Sequence, residues 1–393
     1  MEDRLYTGTI NYLEQIFTVV SYLTAGRQSR IPHNCASEYT IIDEKARGKE
    51  MIVFESDYSE GCLPEILERM KETNLVQVSG YGNDCFTQSA VERIREACGC
   101  LQADVRLLAG GTQANQVVID SMLESFEGVI ATDTGHIACH EAGAVEFTGH
   151  KVLTVPNHDG KMKAGDLKNL LETFYGDGNH EHMVYPGMVY ITYPTEYGTL
   201  YSRDELLAIG QVCRTYEIPL YLDGARLFYG LAACRDVDLK LIAEVCDAFY
   251  IGGTKAGALL GEAVVFTRKV PSHWMTRVKQ HGALLAKGRV VGIQFDVMFE
   301  DDLALKYARN AIELARYMKE ELVQLGYRLH MDSPTNQQFF VLSDQTIARL
   351  KGKVGYSFWE KVDEGHTAIR LATSWASTRE NVDRLIEAMK EAL

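Results

Sequence analysis

The stretch that decides the fold runs from Pro219 to Lys255: PLYLDGARLFYG (219–230), a helical spacer, then DAFYIGGTK (247–255). Two apolar runs rich in β-branched and aromatic residues, Ile218 to Leu222 and Ala248 to Ile251, each end on polar residues. The first ends on Asp223, the second on Gly252-Gly253-Thr254-Lys255. Short apolar runs bounded by glycine read as buried parallel strands. The polar residues just past them then stand at the strands' carboxyl ends, the edge at which open α/β sheets bind ligands.

On either side of this stretch strand and helix alternate. Upstream lie DVRLLA (104–109), GVIAT (128–132), KVLTV (151–155) and MVYITY (188–193); downstream lies AVVFT (263–267). Together these seven strands with crossover spacing imply an α/β fold with a mainly parallel, doubly covered sheet. Before them, MIVFESDYSEG reads as a short strand ending in Ser56 and Asp57, followed by helices over Pro64–Lys71 and Ala90–Ala97. After Phe266 the pattern loosens until a long helix begins at Asp301, with Leu303, Tyr307, Ala311, Leu314, Met318 and Leu322 in helical period and Gly326 as its stop. Strands YRLHM, QQFFVLS and HTAIRLATS follow. A last helix is opened by a Ser377-x-x-Glu380 capping box. The expected organisation is an N-terminal helical arm (1–50, with Leu13, Ile16, Phe17 and Val20 on one face), a large α/β domain (51–300) and a small C-terminal α/β domain (301–393).

A chain of 393 residues exceeds one ordinary core, in keeping with two domains. The formal net charge of -14 argues against nonspecific nucleic-acid binding, which needs clustered basic charge. No window approaches the length of a membrane span, and the acidic start MEDRLYTGTINYLEQ lacks the order of a signal peptide, so a cytoplasmic protein is expected. The nine cysteines form no CxxC pair and read as free thiols. HEH at His180 to His182 lies in the polar GDGNHEHMVYPG and reads as a solvated loop, so no metal is expected.

Lys255 is the central chemical candidate. Flanked by GGT and AGA, it has small neighbours that leave room for a ligand, and partial desolvation lowers an amine's pKa as a Schiff-base lysine requires. Asp223 admits two readings. It pairs locally with Arg226, or it holds the proton of a pyridinium ring while Arg226 faces the ligand. An acid at one strand end and a lysine past the next suit pyridoxal 5'-phosphate. GGTQAN (110–115) places a Gly-Gly turn before a helix whose first turn offers Gly111, Thr112 and Gln113, a natural phosphate seat. Arg370, between Ala368 and Ala372 on one strand face, has space for a bidentate carboxylate, though an edge-strand arginine would look similar. His136, His140 and Glu141 fall in a segment too polar to be core throughout. A reading from another class is a nucleotide-binding α/β protein in which GGTQAN holds the phosphate and Lys255 is incidental.

Ser56-Asp57, YGND (81–84), GGTQAN, GHI with EAGA (135–144), DGARL (223–227), GGTK (252–255) and IRLATS (369–374) occur in an order that resembles the threonine aldolase/β-eliminating lyase family. The resemblance spans about residues 50–393 and implies a fold-type I pyridoxal phosphate enzyme of aspartate-aminotransferase-like architecture. By the same resemblance Lys255, next to Thr254, forms the Schiff base, Asp223 partners the ring nitrogen and His136 stacks on the ring. Gly111 and Thr112 hold the phosphate, and Ser56, Arg226 and Arg370 surround the substrate carboxylate. It implies a homodimer or homotetramer with shared active sites, in which Tyr81 and Lys287 or Arg289 reach a neighbour's cofactor. Aldolases of the family carry an ENTHN-like stretch with a histidine; here ITYPTEYGT (191–199) puts Thr195 or Glu196 nearest that position. The expected reaction is Cα–Cβ cleavage of a β-hydroxy-α-amino acid to glycine and an aldehyde, with His136 or a water held by Glu141 taking the hydroxyl proton. β-Elimination or transamination of another amino acid is the alternative.

Overall fold

The computed structural model describes residues 51–393, so the expected helix around Leu13 to Val20 lies outside the described residues. After a two-residue strand β1 (Ile52–Val53), the main sheet is built from β2 (Asp104–Leu108), β3 (Glu127–Thr132), β4 (Val152–Val155), β5 (Tyr185–Thr192), β6 (Leu220–Asp223), β7 (Ala248–Gly252) and β8 (Glu262–Phe266). Their spatial order is β2-β8-β7-β6-β5-β3-β4. These are the seven strands expected from the sequence. Strands β4, β3, β5, β6 and β7 run parallel, while β8 is antiparallel to both its neighbours. The reason for that one reversal is local: only a single 3₁₀ turn (Thr254–Ala256) and a short loop separate β7 from β8, too little chain for a crossover.

The reversal has a chemical result. Because β8 runs backwards, its first residue, Glu262, pairs with Gly252 at the end of β7 and with Leu108 at the end of β2. Glu262 therefore stands on the same edge as Asp223, the last residue of β6. The loops there pack tightly: a Cβ on Gly224 would overlap the Tyr250 carbonyl oxygen, and one on Gly252 would overlap that of Ala225. The DGA and IGG turns thus hold the ends of β6 and β7 together only because both carry glycine.

The helix Leu303–Gln324 starts near its expected position, and Gly326 follows it with a φ of 98°. The second sheet, all antiparallel, contains β9 (Arg328–Met331), β10 (Gln337–Ser343), β12 (Ser357–Asp363) and β13 (His366–Ala372), in the order β12-β13-β10-β9. Strand β12 was not legible: SFWEKVD is largely exposed, so no apolar alternation marks it. The two-residue strand β11 (Val354–Gly355) pairs in parallel with β1, tying Ile52–Val53 to this C-terminal layer rather than to the main sheet. The final helix, Arg379–Glu391, is capped by Thr378, whose side chain accepts from the Asn381 amide; the expected box from Ser377 does not form, because the Ser377 hydroxyl accepts from the Ser374 amide instead. Among the described residues, no helix is long and apolar enough to cross a membrane.

Candidate active site

The strand ends open onto a cleft with two adjoining lobes. One, of about 330 Å³, is lined by residues from the main-sheet edge, including Gly110, Gly111, Thr112, His136, Asp223 and Lys255. The other, of about 490 Å³, extends towards the second sheet and is lined by His140, Gln337, Ser357, Trp359 and Arg370 among others. The sequence therefore brings the two reactive strand ends and the IRLATS arginine to one cleft.

Asp223 forms the floor of the first lobe. Its Oδ2 accepts from Asn115 Nδ2 (2.9 Å) and the Tyr190 hydroxyl (2.7 Å), and its Oδ1 from the Ala225 amide (2.9 Å). Burial alone would raise this carboxyl. The charge at His136 and hydrogen bonds from Tyr250, Asn115 and Tyr190 instead hold it below the usual aspartate range. Asn115 also donates to Glu141 Oε1 (2.8 Å), which accepts from His136 Nδ1 (2.7 Å). Burial opposes charge on His136, but the Glu141 hydrogen bond and the Asp223 and Glu141 charges outweigh it and push the imidazole pKa up.

Lys255 reaches the same lobe, half-buried, with its ammonium 5.9 Å from the centre of the Tyr58 ring. Burial and the Arg226 charge lower its pKa against the pull of Asp57, Glu262 and Asp223. The Thr254 hydroxyl donates to Glu262 Oε1 (3.0 Å), while Glu262 Oε2 is buried without a partner. Burial pushes the Glu262 carboxyl well up despite nearby Lys255 and the Thr254 hydrogen bond.

On the lobe's far side the helix Gly111–Met122 begins directly after the extended Gly110. The amides of its first turn have no acceptor within the helix, and its dipole favours an anion. No atom lies within 4 Å of where a Gly110 side chain would start, so this rim is open to a ligand. Gly111 and Thr112 line the lobe. Gln113 does not, since its Oε1 turns back to accept from the Ala109 amide (3.2 Å).

The local Asp223–Arg226 pair does not form. Arg226 instead makes a bidentate pair with Asp57, donating from Nε at 2.7 Å and Nη2 at 3.0 Å, and Asn336 adds a third bond to that carboxylate. The Arg226 charge outweighs burial at Asp57 and keeps its pKa down. Arg370 donates to Gln337 Oε1 (3.0 Å), Ser357 Oγ (3.1 Å) and the Glu55 carbonyl (3.3 Å), and its Nε is buried without a partner. The residue lines the second lobe, and a guanidinium braced there suits a carboxylate.

Two more expected residues lie in the cleft. Thr195 is buried and lines the first lobe, its hydroxyl 2.7 Å from that of Thr199. Glu196 lines both lobes. Others lie outside. The Ser56 hydroxyl meets Ser59 (3.0 Å), and it is Asp57, one residue on, that turns inward. Tyr81 lines a separate groove, exposed, with Lys279 5.8 Å from its ring centre. Lys287 is exposed, and Arg289 is spent on the carbonyls of Val76 and Thr73. His180–His182 forms a 3₁₀ turn away from the cleft.

Asn115 and Asp57, quoted within motifs but given no role by the sequence, and Tyr190 and Glu262, not noted at all, also belong to the site. Signals existed: Asn115 follows Gly111 by four residues and so shares its helix face, and Tyr190 precedes Thr192 by two on one strand face.

Comparison with known proteins agrees with this geometry. The Beta-eliminating lyase family model matches residues 54–345. A low specificity L-threonine aldolase from Pseudomonas aeruginosa is 31% identical over 338 residues, covering 84% of this chain and 95% of that protein. The structure of a Leishmania major threonine aldolase superposes with a TM-score of 0.82 at 38% identity, covering 86% of this chain and 98% of that one. An aspartate aminotransferase from Thermus thermophilus shares the fold at 13% identity, with a TM-score of 0.66 and coverage of 94% of this chain and 98% of that one. With the family model matching most of its length and these relatives covering most of theirs, the chain belongs to the β-eliminating lyase family.

Proposed function

We propose that this chain is a pyridoxal phosphate-dependent lyase that cleaves the Cα–Cβ bond of β-hydroxy-α-amino acids, in the manner of a threonine aldolase, releasing glycine and an aldehyde. The observation that carries the reading is the placing of a floor carboxylate with a lowered pKa, Asp223, and the half-buried amine of Lys255 in one lobe, while the Arg370 guanidinium lines the next. Both nucleotide binding with an incidental Lys255 and a purely structural role leave that arrangement without a purpose.

The cleft's residues fit the cofactor. The helix turn at Gly111 and Thr112 would receive its phosphate, His136 would lie against its ring, and Asp223 would face the ring nitrogen. When bound, pyridoxal phosphate supplies a conjugated ring that accepts the electron pair of a bond broken at Cα. The chain's own contribution is charge and orientation. The His136 charge and the hydrogen bonds to Asp223 favour its anion, which would hold a proton on the ring nitrogen. Burial keeps a fraction of Lys255 as the free amine needed for attack. Arg370, braced by Gln337 and Ser357, fixes the substrate carboxylate and thereby the bond that stands perpendicular to the ring. Arg226 is neutralised by Asp57 and so acts chiefly as a scaffold at the neck of the cleft.

On this reading the layer of residues 301–393 closes the cleft that residues 51–300 build. Tyr81 and Lys287, exposed and turned away from this chain's own cleft, serve a neighbouring subunit in a homodimer or homotetramer, whereas Arg289 is held by the carbonyls of Val76 and Thr73. Incubating the purified protein with pyridoxal phosphate and threonine, allo-threonine or phenylserine tests the reading. Glycine is expected from at least one; keto acid and ammonia from serine or cysteine, with no glycine from any of the three, would overturn it in favour of elimination.

A further inference from the structure

Among the described residues, those lining both lobes are Tyr58, His136, Glu196, Arg226 and Lys255. They form the neck between the sheet-edge lobe and the Arg370 lobe. A bond broken between a ring-bound Cα and its β-carbon is broken at this neck, and the β-hydroxyl needs a proton acceptor there. Glu196 is the one carboxylate of the set. Arg226 is a cation already paired with Asp57; Lys255, released when the substrate amine takes its place, is the group left to return a proton to Cα; and Tyr58 stands largely in solvent at 54% exposure. His136 donates to Glu141 from Nδ1, and its environment favours the cation, which is the wrong form for a base. Of the other carboxylates along the cleft, Asp223 and Glu141 are bound to Asn115, Glu262 sits behind Thr254, and Glu360 pairs with His330 on the outer rim.

Glu196 is held in place without being saturated. Its Oε1 accepts from the His136 amide (2.9 Å) and its Oε2 from the Thr192 hydroxyl (3.1 Å); even with its own backbone amide as a third donor, the carboxylate keeps acceptor capacity. The neighbouring segment is fixed as well, with Thr195 bonded to Thr199 on one side and the end of β5 on the other. We infer that Glu196 is the general base of the cleavage, taking the β-hydroxyl proton as the aldehyde forms. The inference rests on the lyase reading above. In this step the O–H bond breaks and its proton passes to Glu196; the O–H electrons become the second C–O bond of the aldehyde, and the Cα–Cβ bond breaks. The pair left on the glycine fragment takes up one proton at Cα, so substrate and products balance with no oxidant or reductant.

Electrostatics support the role. Burial, partly offset by the residue's own backbone amide, pushes the Glu196 carboxyl up to about 7, with the Asp223 charge adding to the rise and His136 and Thr192 opposing it. Other titratable groups facing it are Cys139, Tyr190, Tyr197 and Tyr201, none of which supplies a compensating cation. A base whose pKa lies near neutrality combines a usable ionised fraction with a real proton affinity.

The experiment compares wild-type, Glu196→Gln and Glu196→Asp enzymes reconstituted with pyridoxal phosphate. Three quantities are read: visible absorption and cofactor affinity, exchange of the glycine α-proton with solvent, and kcat for glycine release from threonine against pH. For Glu196→Gln the expected result is cofactor affinity and glycine exchange within about threefold of wild type and a kcat lower by about 100-fold or more. The rising limb of the wild-type profile near pH 7 should vanish in this variant and return in Glu196→Asp. Threonine cleavage within threefold of wild type, or an unmoved limb, overturns the inference. Equal loss of cleavage and glycine exchange also overturns it, by assigning Glu196 a structural role. A wild-type protein that releases no glycine contradicts the lyase reading instead, so the two failures are distinguishable.

Discussion

Asp223 and Glu262 stand at the same edge of the main sheet, one ending β6 and the other opening β8, and each is 4% exposed. Equal burial leads to opposite pKa shifts. Asp223 feels the His136 charge and receives hydrogen bonds from Tyr250, Asn115 and Tyr190, and its pKa falls; Glu262 receives the Thr254 hydroxyl, keeps an oxygen without a partner, and burial raises its pKa. Neighbouring charge and donors, rather than depth, set the direction of each shift. The consequence is a cleft floor that favours negative charge at Asp223 and, beside the anion seat, a carboxyl at Glu262 whose burial disfavours a second negative charge that would oppose a phosphate.

Three substitutions put this contrast at risk. The largest effect is expected from Asp223→Ala, which removes the floor charge and strands its donors: kcat for glycine release should fall by about 1000-fold, measured on protein shown by absorption to hold cofactor. A fall of tenfold or less would mean that the floor charge is not used. Next comes Arg370→Leu. Loss of charge-assisted bonds worth about 1.5–3 kcal/mol each should lower kcat/KM for threonine by about 100-fold, mostly through KM. An unchanged KM would move the carboxylate anchor elsewhere.

Glu262→Gln should have the smallest effect, because an amide replaces a group already neutral: pyridoxal phosphate affinity is expected within threefold of wild type. Its pH dependence sharpens the test. The folded-state pKa of Glu262 is raised, so its contribution to stability is complete below the unfolded value of about 4.3 and is lost as pH rises through the folded value. The glutamine cannot ionise. Thermal denaturation should therefore favour the variant increasingly as pH rises above the ordinary glutamate range, and a constant difference would show Glu262 to be ionised as Asp223 is.

The sequence made some of this legible. Strands β6 and β7 are apolar runs ended by polar or glycine residues, so pattern and punctuation alone place Asp223 and Lys255 at one edge. Strand β12 was hidden because its side chains face solvent, and solvent leaves no pattern. The reversal of β8 could be suspected only from the short gap after Lys255, and with it the position of Glu262 was missed. Contacts between distant residues were the least visible. Arg226 had a plausible partner three residues away in Asp223, yet it pairs with Asp57, 169 residues earlier in the chain, because the C-terminal layer folds the first strand back over the sheet edge. The pKa shifts followed the same rule: Asp223, Glu196 and Glu262 are all partly or wholly buried acids, and only their three-dimensional neighbours, charges and donors together, separate them.

The visible absorption spectrum of the purified protein with pyridoxal phosphate, recorded for wild type and for Lys255→Ala, tests the central claim most directly. A visible band that survives gel filtration and is fixed to Lys255 by borohydride is expected in the wild type, and its loss in the variant. A wild-type protein that stays colourless, or a variant whose spectrum is unchanged, would contradict the assignment of Lys255 and with it the chemistry of the cleft.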